Sequence, residues 1–326
     1  PPATRQDSES LVIHFTRLFR ATGVNDLKVY LGVPRGFCAG VDRAIDVVEL
    51  ALKRFGPPVY VKHQIVHNPN VVNSLEEKGA MTVEDVDEIP EGSTVVFSAH
   101  GSPPEDFAKA KKRNLNVIDA TCPLVTKVHN EAIKYANDGR RLVLVGHKGH
   151  QEVKGTMGQT DMFLVNDRNE LVMPDWDEDT PVTVLTQTTL SVDDTKRSIE
   201  EIKSKFSDVI VRNDLCYATT SRQAAVKQLC KLVELVLVIG AENSSNCNRL
   251  REVAQAHGVD AYLINGPDEL DSSWLEGVEN VGITSGASTP ESMVQAVIES
   301  LGADEVERID GDDEDVNFVL PAQFRE

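Results

Sequence analysis

The sequence predicts an α/β protein built of mostly parallel sheets, and three observations predict it. Short β-rich runs alternate with stretches of helical periodicity along most of the chain. Strand and helix in alternation make βαβ units, whose strands run parallel. Aromatic residues are only 5% of the chain, too few for a sandwich or propeller rich in Trp and Tyr. Three cysteines, Cys38, Cys122 and Cys216, each stand between a strand candidate and a helix candidate. Their numbers differ by 84 and 94, one small α/β unit each, which marks a weak internal repeat.

The elements follow in order. Residues 28–32 (KVYLG) read as a strand that ends in a turn with two glycines, Gly36 and Gly40, before a helix over 41–55. Further strands are expected at 58–62, 94–98, 116–119, 142–146, 183–185, 209–212, 235–240, 261–264 and 281–284. Helices fit at 126–137, 193–206, 221–233 and 245–257. The most apolar run, 232–241, is broken by Glu234 and reads as a buried strand. It falls well short of the roughly 20 apolar residues that span a bilayer.

A chain of 326 residues is long enough for two or three domains with substantial cores. Its formal net charge of −19 repels nucleic acid and anionic membranes, so neither is expected as a partner. The first 26 residues mix Arg5, Arg17 and Arg20 with Asp7, Glu9 and Asp26. A transit peptide is poor in acids, and a signal peptide carries a longer apolar block. The five cysteines are odd in number and form no C-x-x-C pair. A disulfide framework is therefore not expected, and a reducing, cytoplasmic compartment is preferred to a plastid-type organelle.

The cysteines sort by context. Cys38, Cys122 and Cys216 lie in the turn-like strings GFCAG, ATCP and DLCYATT. A strand-to-helix turn offers backbone N–H groups and a positive dipole end, which stabilise a thiolate. Cys230 falls inside a helical stretch and reads as core, whereas Cys247 opens a helix and is ambiguous. Three thiolates suit zinc or an iron–sulfur cluster, and a missing fourth ligand leaves a position open to substrate.

Polar loops supply the other candidates. His67 lies in VHNP, His100 in SAHGS, and His147 and His150 in GHKGHQE, all near strand ends. His63 and His67 have i, i+4 spacing, but the residues between them are not those of a zinc protease motif, and Pro69 breaks a helix there. His14, His129 and His257 have no such context. Glu152, two residues after His150, suits either a general acid or a first-turn helix carboxylate. Thr186–Thr189 (TQTT), 243–246 (NSSN) and 285–290 (SGASTP) follow strands at helix starts. One such cluster would read as N-capping. Three, with three histidines, suggest a phosphate or diphosphate held by neutral donors. No P-loop or G-x-G-x-x-G is present, so nucleotide binding lacks support.

The strings PRGFCAGVDRAI, VHNPNVV, FSAHG, DATCPLVTKVH, GHQEVKGTMGQT, TQTTLSVDDT, CYATTSRQ, NSSNCNRL and GITSGAST resemble the 4-hydroxy-3-methylbut-2-enyl diphosphate reductases. The resemblance runs from about Lys28 to Phe324. It implies a trefoil of three similar α/β lobes around a central iron–sulfur cluster. On that plan an extension (1–26) precedes a first lobe (27–121), whose first strand can pack with the third lobe. A second lobe (122–213), a third (214–302) and a tail (303–326) follow.

The resemblance also implies roles. Cys38, Cys122 and Cys216 would hold one 4Fe–4S cluster with an open apical iron. His67, His100, His150, Ser244, Ser245, Asn246 and Ser288 would bind the diphosphate. Thr188 would also bind substrate, supporting its hydroxyl, and Glu152 would deliver protons; His150 joins these two as catalytic. The implied reaction is the last step of the non-mevalonate isoprenoid pathway. It removes the substrate's allylic hydroxyl with two electrons and two protons, giving isopentenyl and dimethylallyl diphosphate. The implied electron donor is a ferredoxin or flavodoxin. Such donors are acidic, so a local basic patch is needed for docking, and the sequence does not place it. Cys247 stands where the family more often has Ser and is expected to be an oxidation-sensitive bystander. An iron–sulfur dehydratase, a zinc site and a thiolate-based redox or metal sensor are the rival readings.

Overall fold

The computed structural model describes residues 27–166, 171–212, 214–303, 305–309, 311 and 314–325. The extension assigned to 1–26 lies outside them. The first run of elements is β1 (Lys28–Leu31), α1 (Ala39–Phe55), β2 (Val59–Lys62), α2 (Pro69–Glu77), β3 (Ala80–Val83), β4 (Thr94–Phe97), α3 (Pro104–Lys112) and β5 (Asn116–Asp119). Next come α4 (Pro123–Asn137), β6 (Arg141–Val145), α5 (Gln151–Met157), β7 (Phe163–Val165), β8 (Val182–Thr186), α6 (Val192–Lys205) and β9 (Val209–Val211). The last are α7 (Tyr217–Leu229), β10 (Leu235–Ile239), α8 (Ser245–Ala256), β11 (Asp260–Ile264), β12 (Asn280–Ser285), α9 (Glu291–Leu301) and β13 (Glu305–Arg308).

The strands form three sheets, and every pairing is parallel, as the alternation predicts. The chain makes two compact units. One holds the described residues up to Phe37 together with Thr220–Glu314; the other holds Cys38–Thr219 and the described residues from Asp315. The second unit contains two of the sheets, ordered β3-β2-β4-β5 and β7-β6-β8-β9. The first contains the remaining sheet, ordered β11-β10-β12-β1-β13. Thus β1, the strand before Cys38, pairs with β12 and β13 and belongs to the sheet of the chain's last third.

Central strands are buried on both faces and are mostly apolar. β8 (VTVLT) and β10 (LVLVI) are buried at every position. Burial of one such Val, Leu or Ile side chain contributes about 1.5–3 kcal/mol. Helix α1 buries Val41, Ala44, Val47, Val48 and Ala51, an i, i+3, i+4 stripe that packs on β2 and β4. Among the described residues no helix is long and apolar enough to cross a membrane.

All ten expected strands are present within a residue or so at each end. Three further strands, β3, β7 and β13, carry no signal strong enough to be expected, and each is the edge of its sheet. Helix α7 ends at Leu229, earlier than expected, so Cys230 lies just past it, partly buried against the β10 core.

One buried ion pair fastens the first unit around the turn before Cys38. Arg222 is wholly buried and pairs with Glu314 at 3.1 Å. The same guanidinium donates to the carbonyls of Gly36 (2.8 Å) and Ser285 (3.2 Å), and Gly36 N–H donates to Ser285 Oγ (3.0 Å). Those extra hydrogen bonds are what make a buried charge tolerable.

Candidate metal centre and active site

Each of the three predicted cysteines stands at a helix N-terminus in the second unit. Cys38 caps α1, and its carbonyl accepts from Val41 N–H (2.9 Å) and Asp42 N–H (3.0 Å). Cys122 caps α4; its carbonyl accepts from Thr126 N–H (2.9 Å), and its own N–H donates to Ala99 O (3.0 Å). Cys216 directly precedes α7, and its sulfur accepts from Thr219 N–H at 3.3 Å. The helix dipoles, and at Cys216 the Thr219 N–H, favour sulfur carrying negative charge. Tyr217 ties two of the turns together, its hydroxyl accepting from Ala39 N–H at 3.2 Å.

Gly40 is helical and belongs to α1, so the turn before Cys38 has one left-handed glycine, Gly36, where two turn glycines were expected. Its role is steric. A Cβ at Gly40 would lie 2.8 Å from Cys122 Sγ and 3.8 Å from Cys38 Sγ. The two sulfurs therefore flank the space a side chain would take. Gly40→Ala should displace Cys122 Sγ and cost on the order of a hundredfold in turnover. Iron content per chain is the direct check, and a Gly40→Ala variant that loads iron normally would remove the steric role.

Burial pushes the Cys216 thiol up to about 12 and the Cys122 thiol up to about 11, and repulsion among the three sulfurs adds to it. None of the five cysteines forms a disulfide. Among the described residues, no group of three His, Cys, Asp or Glu side chains is set to hold a single metal ion.

The histidine loops converge in the same unit. The rings of His67 and His100 lie 4.0 Å apart between centroids, and His150 lies 5.4 Å from His67 and 6.2 Å from His100. Each is carried by the loop after a strand: β2, β4 and β6. His150 also caps α5, its Nδ1 accepting from Glu152 N–H at 3.2 Å. Burial, then the neighbouring histidine charges, holds His67 down at about 4 and His100 well below the ordinary range. Neutral imidazoles result, and a bound anion would reverse part of the shift. Gly101, at φ +82°, lets the His100 loop pass over His129, whose Cε1 would be 2.7 Å from a Cβ there.

Sequence reasoning missed His63. Its ring lies 6.0 Å from His67 and 5.9 Å from His100, and its Nδ1 is 2.8 Å from Glu84 Oε2. The available signal was the 63/67 spacing, judged only as a helical zinc pair. His63 instead takes φ 61°, which turns it beside the others. His147 stays out of this ring cluster; its N–H donates to Gln187 Oε1 at 3.0 Å.

Glu152 is buried in the first turn of α5. Its Oε1 accepts from Thr188 N–H (2.6 Å) and its Oε2 from Thr188 Oγ1–H (2.9 Å). Burial raises its pKa to about 7, although the Thr188 bonds oppose the rise. The carbonyl of Thr188 accepts from Cys216 N–H at 3.0 Å. One residue thus links the carboxyl to a predicted cluster ligand.

The first unit carries the remaining predicted donors. Ser244 caps α8, its Oγ accepting from Cys247 N–H at 3.3 Å, and Ser245 and Asn246 begin the helix. Asn246 is 5% exposed, and neither end of its side-chain amide has a hydrogen-bond partner. It faces the loop after β12, since a Cβ at Gly286 would lie 3.8 Å from its Nδ2; that loop carries buried Ser288. Unpartnered buried amide atoms cost about 1–3 kcal/mol each, which a ligand's oxygens would offset. Cys247 stays apart from the predicted ligands, but its burial does not fit the expected sensitivity to oxidation. It is wholly buried in the core under α8, its thiol is pushed up by burial, and a Cβ at Gly240 or Gly286 would collide with its sulfur.

A family model described as LytB protein matches residues 29–302. The chain belongs to the LytB family. Two relatives align with 92% of the chain. A 4-hydroxy-3-methylbut-2-enyl diphosphate reductase from Alcanivorax borkumensis is 49% identical over 310 residues, covering 92% of this chain and 100% of the relative. A protein of the same name from Zymomonas mobilis is 50% identical over 306 residues, covering 92% and 90%. Among solved structures, the E-1-hydroxy-2-methyl-but-2-enyl-4-diphosphate reductase from Plasmodium falciparum superposes with a TM-score of 0.86 at 38% identity, over 92% of this chain and 97% of that one. A second, (E)-4-hydroxy-3-methyl-but-2-enyl diphosphate reductase, described as the terminal enzyme of the non-mevalonate pathway, gives 0.59 at 34% identity over 85% and 99%. The LytB match takes in every predicted site residue, from Cys38 to Ser288.

Proposed function

We propose that this chain reduces 4-hydroxy-3-methylbut-2-enyl diphosphate to isopentenyl and dimethylallyl diphosphate, as the terminal step of the non-mevalonate pathway. LytB membership and the names of relatives that align with 92% of the chain support the reaction class. The observation that carries the reading is Glu152: a buried carboxyl near pKa 7, bonded through Thr188 to Cys216.

Cys38, Cys122 and Cys216 fit an iron–sulfur cluster by donor chemistry, since all are thiols outside any disulfide at helix N-termini in one unit. We assign them as the three ligands of a 4Fe–4S cluster with one iron left for substrate. When bound, the cluster supplies single electrons and a Lewis acid for the leaving hydroxyl. The protein does the rest. Glu152 is half protonated near pH 7 and gives a proton to the departing oxygen, which leaves as water. Thr188 Oγ1 orients that carboxyl and is assigned to support the substrate hydroxyl. His150 fixes the start of α5 on which Glu152 stands. His67, His100 and His150, and separately Ser244, Ser245, Asn246 and Ser288, are assigned to the diphosphate. Neutral donors suit it, because they hold an anion without burying a compensating charge. A ferredoxin- or flavodoxin-type protein is the proposed electron source, and five cysteines without a disulfide suit a reducing, cytoplasmic compartment.

The test is anaerobic reconstitution with iron and sulfide, followed by turnover with and without a one-electron reductant. Products that require the reductant support the reading. Hydroxyl loss without it indicates a dehydratase, and iron binding with no affinity for the diphosphate indicates a sensor. Asn246→Ala gives a sharper check. It should raise KM about tenfold to a hundredfold, since a truncated hydrogen-bond pair to a charged group costs roughly 1.5–3 kcal/mol. The melting temperature should hold or rise, because an unpartnered buried amide is removed. A lower melting temperature with unchanged KM would make Asn246 structural.

A further inference from the structure

The acidity of the chain leaves a question of entry. Its net charge of −19 opposes any acidic redox partner unless one region is locally basic. The second unit has such a region. A groove of about 570 Å³ carries four cations: Arg43 from α1, Lys127 and Lys134 from α4, and Arg325 from the C-terminal tail. Two acids face them, Asp119 and Glu131. Glu131 is held by Arg212 at 2.6 Å, so its charge is met from outside the groove. Lys127 also reaches buried Asp214 at 3.1 Å. Lys134 and Arg325 are exposed. Val319, 70% exposed, adds an apolar spot on the same wall.

The groove is built, and it leads somewhere. Its lining positions on α4 (Pro123, Thr126, Lys127, Asn130, Glu131, Lys134) recur at helical spacing and form one face. The residue that caps this helix is Cys122. Thr121 and Pro123, on either side of Cys122, line the groove, so one wall runs along the backbone of that cysteine. Arg43 braces this backbone, donating to Ala120 O (3.2 Å) and Thr121 O (3.1 Å). Its Nε donates to Val319 O at 2.8 Å, which holds the tail as the opposite wall. Arg54 donates to Gln323 O in the same tail. Neither the clustered histidines nor Glu152 lines this groove, so it is separate from the proposed substrate side chains.

We propose that this groove is the docking face for a small acidic one-electron carrier protein, with electrons entering beside Cys122. The inference rests on the reductase reading and supplies its missing entry point. Carboxylates on the carrier meet Lys134 and Arg325 at the rim. Val319 gives a desolvated contact, and Arg43 offsets negative charge arriving next to the sulfur. Complementary charge speeds encounter and fixes orientation more than it adds raw affinity, and its effect falls with salt. One electron passes inward per encounter, and the carrier leaves oxidised; two encounters supply the two electrons consumed per turnover.

The test uses the cluster-loaded enzyme and an acidic plant-type 2Fe–2S ferredoxin. Titration calorimetry at low and high salt reads binding, and reduced methyl viologen drives turnover without a protein carrier. The double variant Lys134→Glu, Arg325→Glu should weaken ferredoxin binding about tenfold or more at low salt and flatten its salt dependence. Viologen-driven turnover should stay within roughly twofold of the parent, since neither side chain belongs to the proposed catalytic set. The milder Lys134→Gln, Arg325→Gln pair guards against misfolding and should give an intermediate loss. Ferredoxin binding unchanged in both variants, or turnover falling equally with either reductant, overturns the proposal. A parent enzyme that binds ferredoxin through this groove, yet reduces no allylic diphosphate with viologen, sinks the reductase reading and leaves the docking face standing.

Discussion

Glu152→Gln lowers turnover by about a thousandfold while leaving the fold and cluster loading intact. The amide keeps the shape of the carboxyl, and its oxygen still accepts Thr188 N–H, the shorter of the two bonds at 2.6 Å. Thr188 Oγ1 can rotate to accept from the new NH₂ group. What is lost is an ionisable proton near pH 7, which no amide supplies. Turnover of the parent should therefore fall as pH rises through about 7, where the buried carboxyl gives up its proton. That limb should vanish from the residual activity of the variant. An infrared carboxyl band that titrates near pH 7 in the parent and is missing in the variant reads the same group directly. Stability carries a matching sign. The folded-state pKa of about 7 lies above the ordinary 4.5, so the folded protein holds this proton more tightly than the unfolded chain does. The stabilisation is complete below about 4.5 and is lost as pH rises to about 7. Relative to the Gln variant, the parent's melting temperature should decline across that window and level off above it. A Gln variant with full activity would end the assignment.

Cys122→Ser should abolish turnover and iron loading together. The site already resists the charged form of a thiol, holding Cys122 at about 11. A serine hydroxyl ionises far less readily still, and oxygen is a harder ligand than sulfur for an iron–sulfur centre. Cluster loading must release the thiol protons, so reconstitution of the parent should quicken as pH rises above neutrality. Cys230→Ser and Cys247→Ser should keep their iron, since these side chains pack in the core around β10. Iron and sulfide analysis of the three variants, purified without air, decides the matter. Full iron in Cys122→Ser, or none in Cys247→Ser, would overturn the ligand set.

How far the fold was legible follows from where each strand sits. β8 and β10 are central and covered on both faces, and they announce themselves as β-branched and apolar runs buried at every position. β13 reads EVER and is exposed at all four positions. It is a strand because β1 pairs with it, and no local pattern records that. β3 and β7 share the reason: an edge strand has one partner and less to bury.

The candidate site divides in the same way. Cys38, Cys122, Cys216, His67 and His100 stand in short turns whose Gly, Pro and Thr neighbours mark strand ends, and Glu152 follows such a turn at the start of α5. Such punctuation is local, so these residues could be named without coordinates. His63 could not, because its place depends on a left-handed backbone angle and on Glu84 beside it. Gly40 has the sequence context of a turn glycine, and only the folded chain sets the sulfur of Cys122 against it. The basic groove was the least visible feature, for Arg43, Lys134 and Arg325 come from three distant stretches.

The sequence by itself determined the parallel α/β class, the order of the central strands along the chain, the three thiols and the family. These rest on periodicity, turn chemistry and ordered motifs, all of which are local in the chain. Tertiary structure alone decided that β1 joins the sheet of β10 and β12, that Cys247 is core, and that four cations meet beside Cys122. It also decided that Glu152 keeps its proton near pH 7 and that His67 stays neutral. Burial and charge pairing set those states, and both are properties of neighbours that only folding brings together.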